Sequence, residues 1–312
     1  MKLFSCKVRL KGNALDEVRK SNVTSAEITL LNVAHDVDDV VEIGDTDRSV
    51  AQERDRLEAV YGERAVLSVF GAPKAAGAYQ SGWLAAGRPG AGSAPPAYTA
   101  GSGYTCDKST SGAAPLTNAS VQLYAARLAA QASQAGSLLI LDRLWSCGGM
   151  GFAASTYTVT TPGSLPARIT DNGVNVEAWV EQFVAAGAAS GTLTLNYTNA
   201  NSGAAKTGVI AAVVSAPVAG QLQPIPLAVG DTGVRQVTSA VNSATWTSGS
   251  FGITLAKRIA EVPIIAANTG FVADWAQLSL AKIPNDACIM FAWLATGTTA
   301  PTVLGELDLI DK

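Results

Sequence analysis

Apolar and polar positions alternate from the start of the chain. Cys6, Val8 and Leu10 fall on one face and Lys7, Arg9 and Lys11 on the other, the period-two pattern of a half-buried strand. The period then lengthens. Thr24 and Glu27 have the spacing of a capping box, Val23 and Ile28 occupy the staple positions, and Ile28, Leu31 and His35 recur at helical intervals. These signals predict a helix over 25–34, a short strand over 40–43 and a second helix over 49–61 that Gly62 can end. Glu53, Arg54, Asp55, Arg56 and Glu58 give that second helix a solvated face. A third short helix is predicted over 63–70, stopped by Gly71 and Pro73. Residues 1–72 therefore read as a small, charged α/β segment.

Beyond residue 116 the period is two. Strands are predicted over 121–129, 137–145, 156–160, 174–185, 192–197, 208–215, 223–229, 234–243, 252–262, 287–294 and 303–309. Within 174–183, Glu177 and Glu181 share one face, opposite Val176, Ala178 and Val180. Asp171-Asn172-Gly173, Gly230-Asp231-Thr232-Gly233 and Ser248-Gly249 punctuate the runs as turns. So many short strands predict a mainly β domain over 117–312, an antiparallel, jelly-roll-like β-sandwich. Residues 73–116, rich in Gly, Ala, Ser and Pro, keep no hydrophobic period and have the composition of an extended linker. So long a stretch needs a surface to lie along, its own domain or a neighbouring subunit, and the neighbour is the expectation.

Charge sharpens this division. Residues 1–70 hold 23 of the charged side chains, 71–112 hold 4, and 113–312 hold the other 20. A surface so poor in charge is one that other protein tends to cover. A net charge of -3 and a pI near 5.3 leave no electrostatic footprint for nucleic acid or an anionic membrane as partner. The longest apolar run, 209–220, is broken by Ser215 and Pro217 and falls short of the roughly 20 residues a membrane span needs.

Candidate chemistry is sparse. His35, the single histidine, closes the first predicted helix, where the dipole favours its charged form, and no triad partner stands near it. Cys6, Cys106, Cys147 and Cys288 are widely spaced with no Cys-x-x-Cys pair, which argues against a metal site. Buried thiols and disulfides formed in an oxidising exterior both stay open, and four cysteines allow three pairings. Asp231-Thr232-Gly233 has the form of an aspartic-protease triplet, but that chemistry needs a second aspartate, and the single copy reads as a turn. Gly148-Gly149-Met150-Gly151 lacks the lysine and hydroxyl of a phosphate loop and reads as a loop between strands.

Glu177 and Glu181 would stand roughly 13 Å apart by strand rise, too far for either glycosidase geometry, and read as a solvated face. Trp83, Trp145, Trp179, Trp246, Trp275 and Trp293 are scattered and read as core or interface anchors. No catalytic, cofactor-binding or metal-binding residue is assigned, no cofactor is expected, and the chain is read as not an enzyme.

Two stretches carry a resemblance. One runs from Glu17-Val18-Arg19-Lys20-Ser21-Asn22-Val23-Thr24-Ser25-Ala26-Glu27-Ile28 through Leu57 and Tyr61-Gly62 to Phe70-Gly71. The other comprises Leu141-Asp142-Arg143-Leu144-Trp145, Pro166-Ala167-Arg168, Asn196-Tyr197-Thr198-Asn199 and Gly230-Asp231-Thr232-Gly233-Val234. Together they resemble virion structural proteins of tailed bacteriophages, of the capsid-decoration or head-fibre type. The resemblance implies a protein of the virion, assembled in the host cytoplasm, with a docking segment and a β-sandwich. It implies a homo-oligomer, a trimer about a local symmetry axis, with the major capsid protein or a neighbouring virion protein as partner. Decoration or reinforcement of the capsid is the expected function. A tail or fibre component that binds a host-surface glycan or receptor is the alternative. The 73–116 stretch has no counterpart in the pattern.

Overall fold

The computed structural model describes residues 3–10, 17–24, 37–46, 63–70, 76–95, 103–116, 122–151, 155–159, 165–188, 191–243, 248–298 and 300–311. The chain forms two compact units, Met1–Tyr61 and Gly62–Lys312. In the first, β1 (Leu3–Leu10) pairs antiparallel with both β2 (Glu17–Thr24) and β3 (Val37–Thr46), giving the order β2-β1-β3. The alternation at the chain start is thus a strand, and the strand expected over 40–43 lies inside β3. The helices expected over 25–34 and 49–61, and His35 with them, lie outside the described residues.

The second unit is all β among its described residues. Its first strand, β4 (Glu63–Phe70), overturns the third predicted helix, and the described parts of 1–72 are all strand. Ala65 and Leu67 are buried while Val66 is exposed, so the period is two. The cross-strand partners that enforce it lie some 240 residues further on (Thr302 opposite Phe70, Leu309 opposite Glu63), and tertiary pairing outweighs local propensity. The segment expected as a linker adds β5 (Tyr79–Ser81), β6 (Ala86–Arg88) and β7 (Tyr104–Thr105) to this unit's own sheets. Its Trp83, Cys106, Ala114 and Leu116 are buried in the unit's core, so it packs on its own domain.

The chain continues through β8 (Leu123–Ala132), β9 (Gly136–Gly151), β10 (Ser155–Thr158), β11 (Val176–Val184), β12 (Leu193–Asn199), β13 (Ala205–Ile210) and β14 (Gln221–Pro224). It ends with β15 (Val234–Asn242), β16 (Ser250–Ile264), β17 (Gly270–Ala273), β18 (Lys282–Ile283), β19 (Ile289–Ala295) and β20 (Thr302–Asp311). Every predicted strand beyond residue 116 has a counterpart here, but their arrangement is not a two-sheet jelly roll. Strands β9, β16, β11, β14, β5 and β19 pair in that order, and β19 returns to β9, closing a six-stranded antiparallel barrel. Closure removes the free edges that a sandwich would leave.

Two sheets cover the barrel's outer surface. One has the order β17-β8-β20-β4-β6, with β18 also on β8. Its Leu67, Leu128, Val303 and Leu307 meet the outward Leu138, Ile140, Val262, Ile289 and Phe291 of the barrel. The other, β10-β15-β12-β13, packs Leu195, Tyr197, Val237 and Ala240 against Leu144, Trp145, Ala178, Ile253 and Leu255. The long strands β9 and β16 serve both layers, one end of the ribbon under each sheet.

Two irregularities make this work. A bulge leaves Leu144 unpaired between Arg143↔Ala256 and Trp145↔Leu255, which moves the inward-facing set of β9 from odd to even positions. Arg143 and Ser146 therefore both face the interior. Further along, Gly252 sits where a Cβ would come within 1.8 Å of the Cys147 carbonyl oxygen, so only glycine lets the strands close there.

Candidate functional site

The barrel interior combines an apolar filling with a buried ion pair. Leu139, Leu141, Trp179, Leu222, Ala256, Met290 and Ala292 supply the filling. Among them Arg143 and Glu181, each fully buried, meet at 2.7 Å. The remaining valences of the carboxylate are met by hydroxyls: Ser81 Oγ donates to Oε1 at 2.7 Å and Thr254 Oγ1 to Oε2 at 2.6 Å. Arg143 donates to Ser146 Oγ at 2.7 Å and stacks over Trp83, its Cζ 4.4 Å from the ring centroid. Burial pulls the guanidinium pKa down, but Glu181, with Cys106 and Tyr104 adding to it, raises it on balance. Ser81, Arg143, Glu181 and Thr254 come from four different strands of the barrel, Ser146 from β9 beyond its bulge and Trp83 from the turn after β5, so the site is a product of closure.

Asp142, facing outward from the same strand, extends the network. Arg168 grips it with Nε and a terminal nitrogen, both at 2.9 Å, and donates a further bond to the Arg143 carbonyl at 3.0 Å. The Cys288 amide donates to the same carboxylate at 2.9 Å. Burial pushes the Asp142 carboxyl upward, against the pull of Arg168. Above this pair opens a cleft of about 660 Å³, lined by Arg168, Lys257, Arg258, Lys282, Asp171 and Gln122 among others. Lys257 pairs with Asp171 at 2.8 Å, and Arg258 pairs with Glu177 at 3.1 Å and with Glu261.

Each buried carboxylate of this constellation faces a cation, Glu181 with Arg143 and Asp142 with Arg168. Among the described residues no cluster of His, Cys, Asp and Glu could hold a metal ion. What the arrangement can do is fix the barrel's register from inside and present a polar, charged cleft outside.

The residues weighed from sequence are placed as follows. Glu181 is not on a solvated face: it is wholly buried, because closure turns that face of β11 into the barrel interior. Glu177 shares the face near the strand's end and takes Arg258 as partner. Residues 148–151 are not a loop but the end of β9. Asp231 does stand in a turn, where Tyr197 donates to it at 2.6 Å and Asn199 at 2.8 Å, and these bonds hold its carboxyl below the usual range. Trp83, Trp145, Trp179 and Trp293 are core, Trp275 is exposed, and Trp246 lies outside the described residues. Sequence reasoning passed over Arg143, Asp142 and Arg168 as chemistry. A charged pair inside the apolar run 137–145 was the available signal, since charges seldom enter such a strand unpartnered.

Fold and site together define a protein that is all β among its described residues, with a second unit built on a closed barrel with an ionic interior. No family model, curated protein or solved structure matches the chain.

Proposed function

We propose that this chain is a non-enzymatic structural protein that works by assembling with other chains, as a decorating or reinforcing component of a tailed-phage particle. The observation that carries the assembly reading is the outer face of the sheet β17-β8-β20-β4-β6. Val66, Leu304 and Val272 are each more than 40% exposed there. Registers align Val66, Glu306, Ala129 and Val272 in one cross-strand row, with Leu304 one pair along. Arg127 and Asp308, paired at 3.0 Å, sit beside it. Exposed apolar side chains grouped around Glu306, with a charged pair at the margin, suit a contact with another protein. The virion assignment rests on the sequence resemblance, and the N-terminal unit is the proposed docking segment.

The test is the mass of the purified protein in solution, with and without charge placed on that face. The wild type should form a stable multiple of the 31.9 kDa chain. Val272→Lys and Leu304→Lys should keep the β-sheet circular dichroism while shifting the mass to the monomer. A wild type that is monomeric at high concentration would remove the self-association claim. A second reading, a tail or fibre component binding a host glycan, is favoured by the polar cleft over Asp142 and Arg168. Glycan-array binding lost on Lys257→Ala would favour it.

A further inference from the structure

Cys106 and Cys288 stand 182 positions apart in sequence and side by side in the fold. Both lie along the same edge of β9. The Cys106 amide donates to the Leu144 carbonyl at 2.9 Å, and the Arg143 amide donates to the Cys288 carbonyl at 2.8 Å. Strand β7 covers the β9 edge at Trp145 and Ser146, and β19 covers it up to Asp142. The two cysteines fill the junction between them, where one strand leaves the sheet and the next enters. Their partners Arg143 and Leu144 are neighbours in β9, which sets the two cysteines beside each other, the closeness that the roughly 4.4–6.8 Å Cα span of a disulfide calls for. Both side chains are free thiols, fully buried in the same apolar cluster of the barrel.

We propose that Cys106 and Cys288 are a disulfide-forming pair that covalently closes the junction between β7 and β19 when the protein meets an oxidising environment. The oxidant is a small-molecule disulfide such as oxidised glutathione. The Cys106 thiolate attacks one of its sulfurs and expels a glutathione thiolate, leaving a mixed disulfide on Cys106. The Cys288 thiolate then attacks Cys106 Sγ and expels the second glutathione. Two protein thiols lose two protons and two electrons, and one glutathione disulfide becomes two glutathiones. The order of attack follows the asymmetry of the pair. The contact with Cys288, together with the nearby Arg143 and Arg168, lowers the Cys106 pKa against burial, while the contact with Cys106 and burial raise that of Cys288 against the pull of Arg143. Cys147 lacks such a partner: burial pushes its thiol up to about 12, which makes it an internal control.

The pair encloses about 180 residues, so closure constrains most of the unfolded ensemble of the second unit. The bond forms whether or not the chain assembles with others.

The experiment refolds the full chain from denaturant in a glutathione redox buffer, so that burial does not limit access, and digests it with trypsin without reduction. Cleavage after Lys108, Arg143, Arg168 and Lys282 places Cys106, Cys147 and Cys288 on separate peptides. The expected product links the Cys106 and Cys288 peptides, in the wild type and in Cys147→Ser alike. It should be missing from Cys106→Ser and Cys288→Ser. The oxidised wild type should melt roughly 5–15 °C above its reduced form, a gap closed by reductant. Refolded wild-type protein with native circular dichroism in which both peptides remain unlinked, or in which either is joined to Cys6 or Cys147, would overturn the proposal.

Discussion

The strands β9 and β16 present two faces to two different interiors, and the contrast between them is instructive. Outward, Leu138, Ile140, Leu255 and Val262 pack in apolar clusters with side chains of the flanking sheets. Inward, the same strands carry Arg143 and Thr254 into a network with Glu181 and Ser81. The flanking layers can adjust by sliding sheet over barrel, so shape complementarity among apolar groups suffices. The barrel interior cannot adjust once six strands have closed, and its register must be chosen at closure. A single ion pair with each carboxylate oxygen held by a hydroxyl is satisfied in one register only. That is the specificity role open to buried polar groups, here a hypothesis for this barrel.

The largest effect should come from splitting the pair. Arg143→Met leaves the Glu181 carboxylate buried without its counter-charge and should cost about 3–5 kcal/mol in urea unfolding. Adding Glu181→Leu should recover most of that loss. If the double variant is as unstable as the single one, the interior is specified by packing alone.

Outside the barrel the losses should follow volume. Leu255→Ala and Ile140→Ala should each cost about 2–5 kcal/mol through the cavity they leave, with no second-site polar rescue. An intermediate loss, about 1.5–3 kcal/mol, is expected of Asp142→Asn, which gives up the charged acceptor for Arg168 and the Cys288 amide. Equal losses for Asp142→Asn and Arg143→Met would mean that the two networks act as one.

The smallest effect is the acid response of the surface carboxylates. In Asp107, bonds from Ser109 hold the carboxyl below its ordinary 3.8. In Asp171 partial burial opposes the Lys257 bond, and the bond prevails. A depressed folded value means that the contribution is present above the ordinary value and is lost as pH falls through the lowered one. Carboxyl titrations followed by NMR should therefore end below 3.8 for both, and Lys257→Ala should move that of Asp171 alone back upward.

Much of the strand content was legible in the sequence, and the reason is local. Period-two alternation in 174–183 and turn residues such as Asp171-Asn172-Gly173 act over a few positions, so the longer runs beyond residue 116 announced themselves, while the short β17 and β18 did not. Residues 63–70 were misread as a helix because their pattern makes sense only beside β20, at the far end of the chain. The Gly- and Ala-rich segment hid β5, since three residues carry no period, yet Tyr79 to Ser81 complete the barrel between β14 and β19.

The sequence by itself determined the β character of 117–312, the places where the chain turns, and the scarcity of charge there. Tertiary structure alone decided that the strands close into a barrel and that the face bearing Glu181 points inward. It also decided that a bulge at Leu144 brings Arg143 to meet Glu181 and that Cys106 reaches Cys288. The physical reason is that alternation assigns a residue to one of two faces, while which face is inside depends on hydrogen bonds between strands far apart in sequence.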